Sequence, residues 1–303
     1  MSERAPPLLF NPALIARNRA RAAQGYDDYA FLKTRASDDL ADRLGDVSRR
    51  FPLALDMMCH SGQAGRAMLQ TGQVDRVIGL EPAPAFARQC DHYEDIKDGS
   101  IEHLPFGPAA FDLVTSVLGL HWANDLPGVL SQVRTVLKPD GLFLGCLFAG
   151  GTLGELRQCL IEAETEILGG VSPRISPLPS LQDMAGLMQR AGFALPVADI
   201  ERITVRYDSP LKLMQDIKGM GEQAAFAARA GQTRSALSRR LLGRVCELYH
   251  ARFADPDGRI RASFEIIWLS GWAPAASQPK PLRPGSARAS LADAVKRAGK
   301  SSG

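Results

Sequence analysis

No Cys-x-x-Cys pair occurs anywhere in the 303 residues. The five cysteines, Cys59, Cys90, Cys146, Cys159 and Cys246, are odd in number and scattered. Neither a zinc clamp nor a disulfide framework is indicated, and reduced thiols in a cytosol-like compartment are expected. No apolar run reaches the roughly eighteen residues that a membrane-spanning helix needs. The body of the chain is also short of positive charge. Net charge is +3, yet the segment from Ser277 onward holds six basic residues against Asp293 alone. What precedes it is therefore slightly acidic and has no footprint for nucleic acid. The first thirty residues lack a signal-peptide core, and Glu3, Asp27 and Asp28 argue against a transit peptide. A cytoplasmic protein is expected, with peripheral membrane contact by the basic tail left open.

What is present is a full globular core, with 45% hydrophobic residues. "NPALIARNRARAAQGYDDYAFL" and "ASDDLADRLGDV" read as two helices, the second striped by Leu40, Leu44 and Val47. Short apolar runs then alternate with helices. "LALDMM", "RVIGLE", "FDLVTSVL" and "LFLGCLFAG" read as strands, with "QAGRAMLQ", "APAFARQC" and "NDLPGVLSQVRTVL" as helices between them. Another strand is expected somewhere before Ile101. Continuously apolar strands separated by helices imply a parallel sheet covered on both faces.

Further on, Thr152 and Glu155 have capping-box spacing, and "SPRISPLP" is a proline-rich connector. "SLQDMAGLMQRAGF" reads as a helix, and "IERITVRY" and "SFEIIWLSGW" as two late strands. The expected organisation is a helical arm over 1–50, a nucleotide-cleft core over 51–150, a continuation of the same domain over 151–275, and a basic tail over 276–303.

In open sheets of this kind a ligand sits beyond the carboxyl ends of the strands, where the winding reverses. Three segments converge there. Asp56 ends the first strand and precedes a turn of small residues that would let backbone N–H groups face a polar ligand. Glu81 ends the second strand, where a carboxylate suits bidentate bonding to ribose hydroxyls. "SIEHLPF" (Ser100 to Phe106) precedes the strand at Phe111 and could sandwich an adenine ring. Each has a plainer reading: Asp56 as a turn cap, and Glu81 as the cap of the helix opened by Pro82.

"LALD", "VIGLE", "LPFGPAAFDLVTSV" and "LKPDGLFLG" resemble, in order, the motifs of class I S-adenosylmethionine-dependent methyltransferases across about residues 51 to 150. "LGLHWANDLPGVLSQVRTVLKPDGLFLGCLFAGGTLGELR", "AETEILGGVSPRISP", "IKGMGE" and "WLSGW" are similar to one subgroup, from about Phe10 to Trp272. That subgroup is the methyltransferase-fold assembly factors of respiratory complex I, known as arginine hydroxylases acting on an iron–sulfur subunit. The bacterial malonyl-carrier-protein O-methyltransferases resemble the middle section more distantly.

The resemblance implies an α/β fold with a Rossmann-like class I methyltransferase sheet, mostly parallel with a late antiparallel strand and helices on both faces. It implies S-adenosylmethionine as cofactor, with Asp56, Met58, His60, Gly62, Glu81, Ser100, Glu102 and Leu104 lining its site. The partner implied is an iron–sulfur subunit of NADH dehydrogenase. Two departures stand out. Met58 and His60 replace the first two glycines of the family loop and project side chains where the cofactor would lie. Ser100 replaces the acidic residue that recognises the adenine amino group.

His121 and Trp122 are placed by the resemblance beside the acceptor, as an aromatic wall with an imidazole able to relay a proton. Packing over the sheet end is the plainer reading. Arg174 is expected on the rim as an anchor for an acidic or peptide substrate. His92 and Glu94 have the local spacing of a non-haem iron ligand pair but sit in a charged loop, and no metal is assigned. Three readings stay open: a complex I assembly factor that modifies an arginine, a cofactor-free assembly protein, and an O- or N-methyltransferase for a small or carrier-bound acid.

Overall fold

The computed structural model describes residues 8–227 and 237–278. The basic tail lies outside the described residues apart from its first three. Helices α1 (Pro12–Ala22) and α2 (Phe31–Gly45) come first. Asn11 caps α1 by accepting from the Leu14 N–H at 3.2 Å, and Pro12 suits the first turn. The sequence predicts an unbroken helix to Leu32. The structure breaks it at Gly25, whose φ of 84° is a left-handed conformation that favours glycine, and a 3-10 turn follows at Tyr26–Asp28.

The core then alternates strands and helices. It runs through β1 (Phe51–Met57), α3 (Gln63–Gln70), β2 (Val74–Leu80), α4 (Pro84–Ala87), β3 (Asp95–Lys97), β4 (Phe111–Val117), α5 (Leu126–Val136) and β5 (Leu137–Phe148). The second half adds α6 (Gly154–Leu168), α7 (Leu181–Arg190), β6 (Ala194–Tyr207), α8 (Pro210–Gly219), α9 (Arg239–Phe253) and β7 (Ile260–Trp272).

The strands form one sheet in the order β3-β2-β1-β4-β5-β7-β6. β1 to β5 pair in parallel, and β7 runs antiparallel to both of its neighbours. Burial follows position. Every residue of β4, in the middle, is buried, whereas edge strand β6 largely alternates between half-buried and exposed. One apolar cluster covers one face through Leu40, Met68, Leu160 and Trp268, and another covers the opposite face through Leu55, Val114, Leu130 and Ile267. The order reverses at β1, which has β2 on one side and β4 on the other. The cleft of an open sheet lies at that point, beyond Met57 and Val117.

Three local expectations change. The helix read over "APAFARQC" closes after four residues, and only Phe86 on it is buried, so no apolar stripe sustains it. Thr152 and Glu155 form no capping box: Leu153 occupies the cap position in the left-handed region. Thr152 exchanges hydrogen bonds with the Glu265 backbone, and Glu155 accepts from Ser263. The Lys138–Gly141 turn is absorbed into β5, with Asp140 at φ 64°. No helix among the described residues is long and apolar enough to cross a membrane.

Candidate functional site

The loop after β1 keeps the backbone of a glycine loop without the glycines. Met58 and His60 have φ of 58° and 54°, and Gly62 has 82°. Two non-glycine residues in the left-handed region store strain of about 1 kcal/mol each, so their side chains must return it through contacts. Both are buried. Met58 packs against Gly119, where an added Cβ would lie 2.6 Å from the Met58 Cβ. His60 stacks on Tyr26 at 5.3 Å between ring centroids and meets Phe86 edge-on at 5.2 Å.

His60 is held by hydrogen bonds as well. Its Nδ1 lies 2.9 Å from the Met58 carbonyl and its Nε2 lies 2.7 Å from Nη1 of Arg19. A guanidinium only donates, so Nε2 accepts and Nδ1–H donates: the ring is neutral. Burial, then the charges of Arg19 and Lys33, holds its pKa well below the usual histidine value.

Glu81 is fully buried, and its carboxylate is saturated by the protein itself. Arg19, from α1, donates from Nε to Oε1 at 2.9 Å and from Nη2 to Oε2 at 2.5 Å. The backbone N–H of His60 donates to Oε2 at 3.0 Å, and that of Ala83 to Oε1 at 3.1 Å. Glu81 thus does cap the turn after β2, and its ribose-facing role is taken by a guanidinium. Asp56 is equally enclosed. It accepts from the Tyr93 hydroxyl at 2.6 Å, and Thr115 Oγ1 lies 3.4 Å away. Burial raises its pKa against the opposing charge of Lys33.

Lys33, from α2, is buried and donates to the carbonyls of Val117 at 2.6 Å and Met58 at 3.2 Å. Those carbonyls mark the ends of β4 and β1, on the two walls of the cleft. Burial pulls its pKa down, and Asp56 opposes the shift.

These residues do not fit S-adenosylmethionine as the chain stands. Both oxygens of Glu81 and two strand-end carbonyls are already bonded to Arg19 and Lys33. Met58 and His60 fill the turn. The space left beside His60, Lys33 and Tyr26 is about 20 Å³, on the order of the 10–15 Å³ that one water requires. Ser100, Glu102 and Leu104 do not face this space with free groups either. The Ser100 hydroxyl accepts from the Glu102 N–H, and the Leu104 N–H donates to Gln132. The Glu102 carboxylate accepts from the N–H groups of Asn124 and Asp125, and so ties its loop to the start of α5.

An open cavity of about 350 Å³ lies next to this filled cleft. Its walls are apolar side chains of β5, α6, α8 and β7, including Phe148, Leu156, Met214 and Phe264. His121 and Trp122 line it, and they bond to a side chain that the sequence did not single out. Glu222 Oε2 accepts from His121 Nε2 at 2.9 Å and from Trp122 Nε1 at 3.1 Å. His121 donates through Nε2, and its buried Nδ1, an acceptor when the ring is neutral, has no partner among the described residues. Arg174 also lines the cavity and is ion-paired to Glu164 at 2.6 Å. His92 hydrogen-bonds to the Gly62 carbonyl and Glu94 pairs with Arg76, so the two do not converge. No group of three metal-ligating side chains occurs among the described residues.

Arg19, Lys33, Tyr93 and Glu222 were not singled out from the sequence. A signal for the first existed: the inward stripe of α1 is Ile15, Asn18, Arg19 and Ala22, a helical face with a cation in its centre. Glu222 lies in the quoted "IKGMGE", after α8, with no periodicity to mark it.

The methyltransferase-domain profile matches residues 55–145. The zebrafish (Danio rerio) protein named mitochondrial arginine-hydroxylase NDUFAF5 is 36% identical over 95% of this chain and 90% of its own length. The malonyl-(acyl-carrier protein) O-methyltransferase of Xylella fastidiosa is 31% identical over 88% of this chain and 89% of its own. Among solved structures, the YcgJ protein of Bacillus subtilis superposes with a TM-score of 0.55 at 16% identity, over 79% of this chain and 98% of that one. That likeness concerns the fold alone.

Proposed function

This chain belongs to the NDUFAF5-type arginine-hydroxylase family, the methyltransferase-fold assembly factors of respiratory complex I, and from that premise we propose that it acts in complex I assembly by taking an arginine side chain of an iron–sulfur subunit into the 350 Å³ cavity. The observation that carries this reading is the base of the cavity. Both hydrogen bonds to Glu222 end on Oε2, so among the described residues Oε1 keeps its lone pairs, and His121 Nδ1 is a second acceptor when its ring is neutral. A guanidinium has five donors and no acceptor, on a stem that packs along apolar walls. A largely apolar cavity with a carboxylate and an imidazole in its lining suits that group better than it suits an acid.

Trp122 and His121 act here by fixing the Glu222 carboxylate, and Arg174 stands at the wall, held by Glu164. The cytoplasmic location expected from composition belongs to the same proposal, although the zebrafish relative carries "mitochondrial" in its name.

The test is fluorescence anisotropy with arginine-containing peptides from the iron–sulfur subunits of the same organism. Each is compared with its Arg→Gln counterpart. At least tenfold tighter binding of the arginine form is expected, and equal affinity would sink the idea. Mass spectrometry of the incubated peptide then separates the finer readings. One added oxygen identifies the chemistry in the relative's name, and no change leaves recognition alone. A methyl on a carrier-bound acid favours the O-methyltransferase reading instead.

A further inference from the structure

The filled cleft has a composition that mere degeneration of a glycine loop does not explain. Met58 and His60 in place of glycines would by themselves obstruct a cofactor. Here two cations from the N-terminal arm have also been brought in, each onto polar groups that an open cleft presents to its ligand. Arg19 takes both oxygens of Glu81, at 1% exposure against 0%. Lys33 takes the carbonyl oxygens at the ends of β1 and β4. Asp56, behind Lys33, supplies its counter-charge. Tyr26, in the turn between the two helices, covers His60 with its ring, and Ala22, Ala23 and Ala30 close the rest with Ala83 and Phe86. The arm and the cleft thus share one buried ion pair, Arg19 with Glu81, beside a neutral His60, and Lys33 is held by the two carbonyls with the charge of Asp56 in its favour. The Glu81 carboxylate is thereby taken from a ribose diol, and the Met58 and Val117 carbonyls from an ammonium group.

We propose that α1 and α2 are a built-in occupant of the nucleotide cleft, with Arg19 standing where a ribose would and Lys33 where a ligand ammonium would, so that this chain does not take S-adenosylmethionine. The former cofactor site is now core. Its task is to hold the arm against the sheet, and so to fix Phe10 at the start of the arm, which packs edge-on against Trp122 at 5.1 Å. The 350 Å³ cavity is then shaped by a structural element where relatives of the fold would have a diffusible ligand. This inference does not depend on which side chain enters the cavity.

The experiment uses the full chain and Glu81→Gln, Arg19→Met and the Arg19→Met/Glu81→Gln double variant. Thermal unfolding and isothermal titration are followed with S-adenosylmethionine up to millimolar concentration. The wild-type protein is expected to show no ligand-induced Tm shift and no saturable heat. Without ligand, each single variant should lower Tm by on the order of 10 °C, because a buried charge loses its partner. The double variant should lose less than the sum of the two. If a single variant does not fold, the double variant and the wild-type titration still decide. Saturable binding by the wild-type chain overturns the proposal. So does a Glu81→Gln variant that keeps the unliganded Tm, since a ribose-binding carboxylate is dispensable to the empty fold.

Discussion

Two neighbouring hollows at the carboxyl edge of the sheet have opposite characters. The cleft between β1 and β4 is polar in its side chains yet closed: Glu81, Arg19 and His60 are buried and bonded to one another, Asp56 is buried on Tyr93, and Lys33 on two backbone carbonyls. The cavity beyond β5 and β7 is apolar in its walls yet open, with Glu222 and His121 at its base and acceptors to spare. Polarity alone therefore does not identify a binding site in this molecule. What distinguishes the two hollows is whether the polar groups are already satisfied. A saturated network contributes to the fold, whereas an unsaturated one waits for a ligand.

The sharpest way to break that contrast is Arg19→Met. It leaves Glu81 charged, buried and short of two of its four donors, which is expected to cost about 3–5 kcal/mol of stability. Chemical denaturation measures this directly. A loss below about 1 kcal/mol would mean the pair is no more than a surface-like contact and the cleft is not core. His60→Gly comes next and has two opposing effects. Glycine relieves the backbone strain at φ 54°, worth about 1 kcal/mol. It also removes the acceptor for Arg19 and the stacking on Tyr26, so a net loss of about 1–3 kcal/mol is expected. A gain in stability would show that His60 is an intruder in the loop and not part of a working network.

A pH titration of stability sharpens the same point. His60 is neutral when folded, with a pKa held well below its unfolded value by burial and then by Arg19 and Lys33. The unfolded chain therefore binds the extra proton as pH drops below about 6.5. The stabilising contribution is present above that value and is lost progressively as pH falls towards the folded pKa. The slope is at most about 1.4 kcal/mol per pH unit for this one group. In His60→Gln the slope between pH 6.5 and 5 should flatten. An unchanged slope would put the proton elsewhere.

Fold and site were not equally legible in the sequence. The alternation of "LALDMM", "RVIGLE" and "FDLVTSVL" with helices specifies the parallel sheet, because a strand buried on both faces leaves an unbroken apolar run. Of the late strands β7 is legible for the same reason and β6 by its alternation, and β7 carries the antiparallel pairing. The arm was not. A helix read by apolar periodicity treats Arg19 and Lys33 as surface residues, and only the partners at Glu81 and the carbonyls of Met58 and Val117, 25 to 84 residues away in the chain, make them interior. Met58 and His60 were visible as obstacles. That they adopt glycine-like backbone angles and are held in place by the arm is a tertiary fact. Glu222 was hidden for the opposite reason: it lies in a loop, where period carries no information.

The smallest effect on stability is expected at the open hollow, and there the comparison is most exposed to failure. Glu222→Gln keeps the size of the side chain and its acceptor oxygen, so His121 and Trp122 still find a partner. The loss should be within about 1 kcal/mol, since the carboxylate is partly exposed and the two hydrogen bonds to it are weakened but kept. Affinity for an arginine peptide should fall by more than stability does. Hydrogen bonds to a charged group are worth about 1.5–3 kcal/mol, or roughly 10- to 100-fold in Kd. Measured together, Tm and Kd place Glu222 on one side of the divide. A large drop in Tm with no change in Kd would make it a structural group like Glu81, and the two hollows would then differ in shape but not in role.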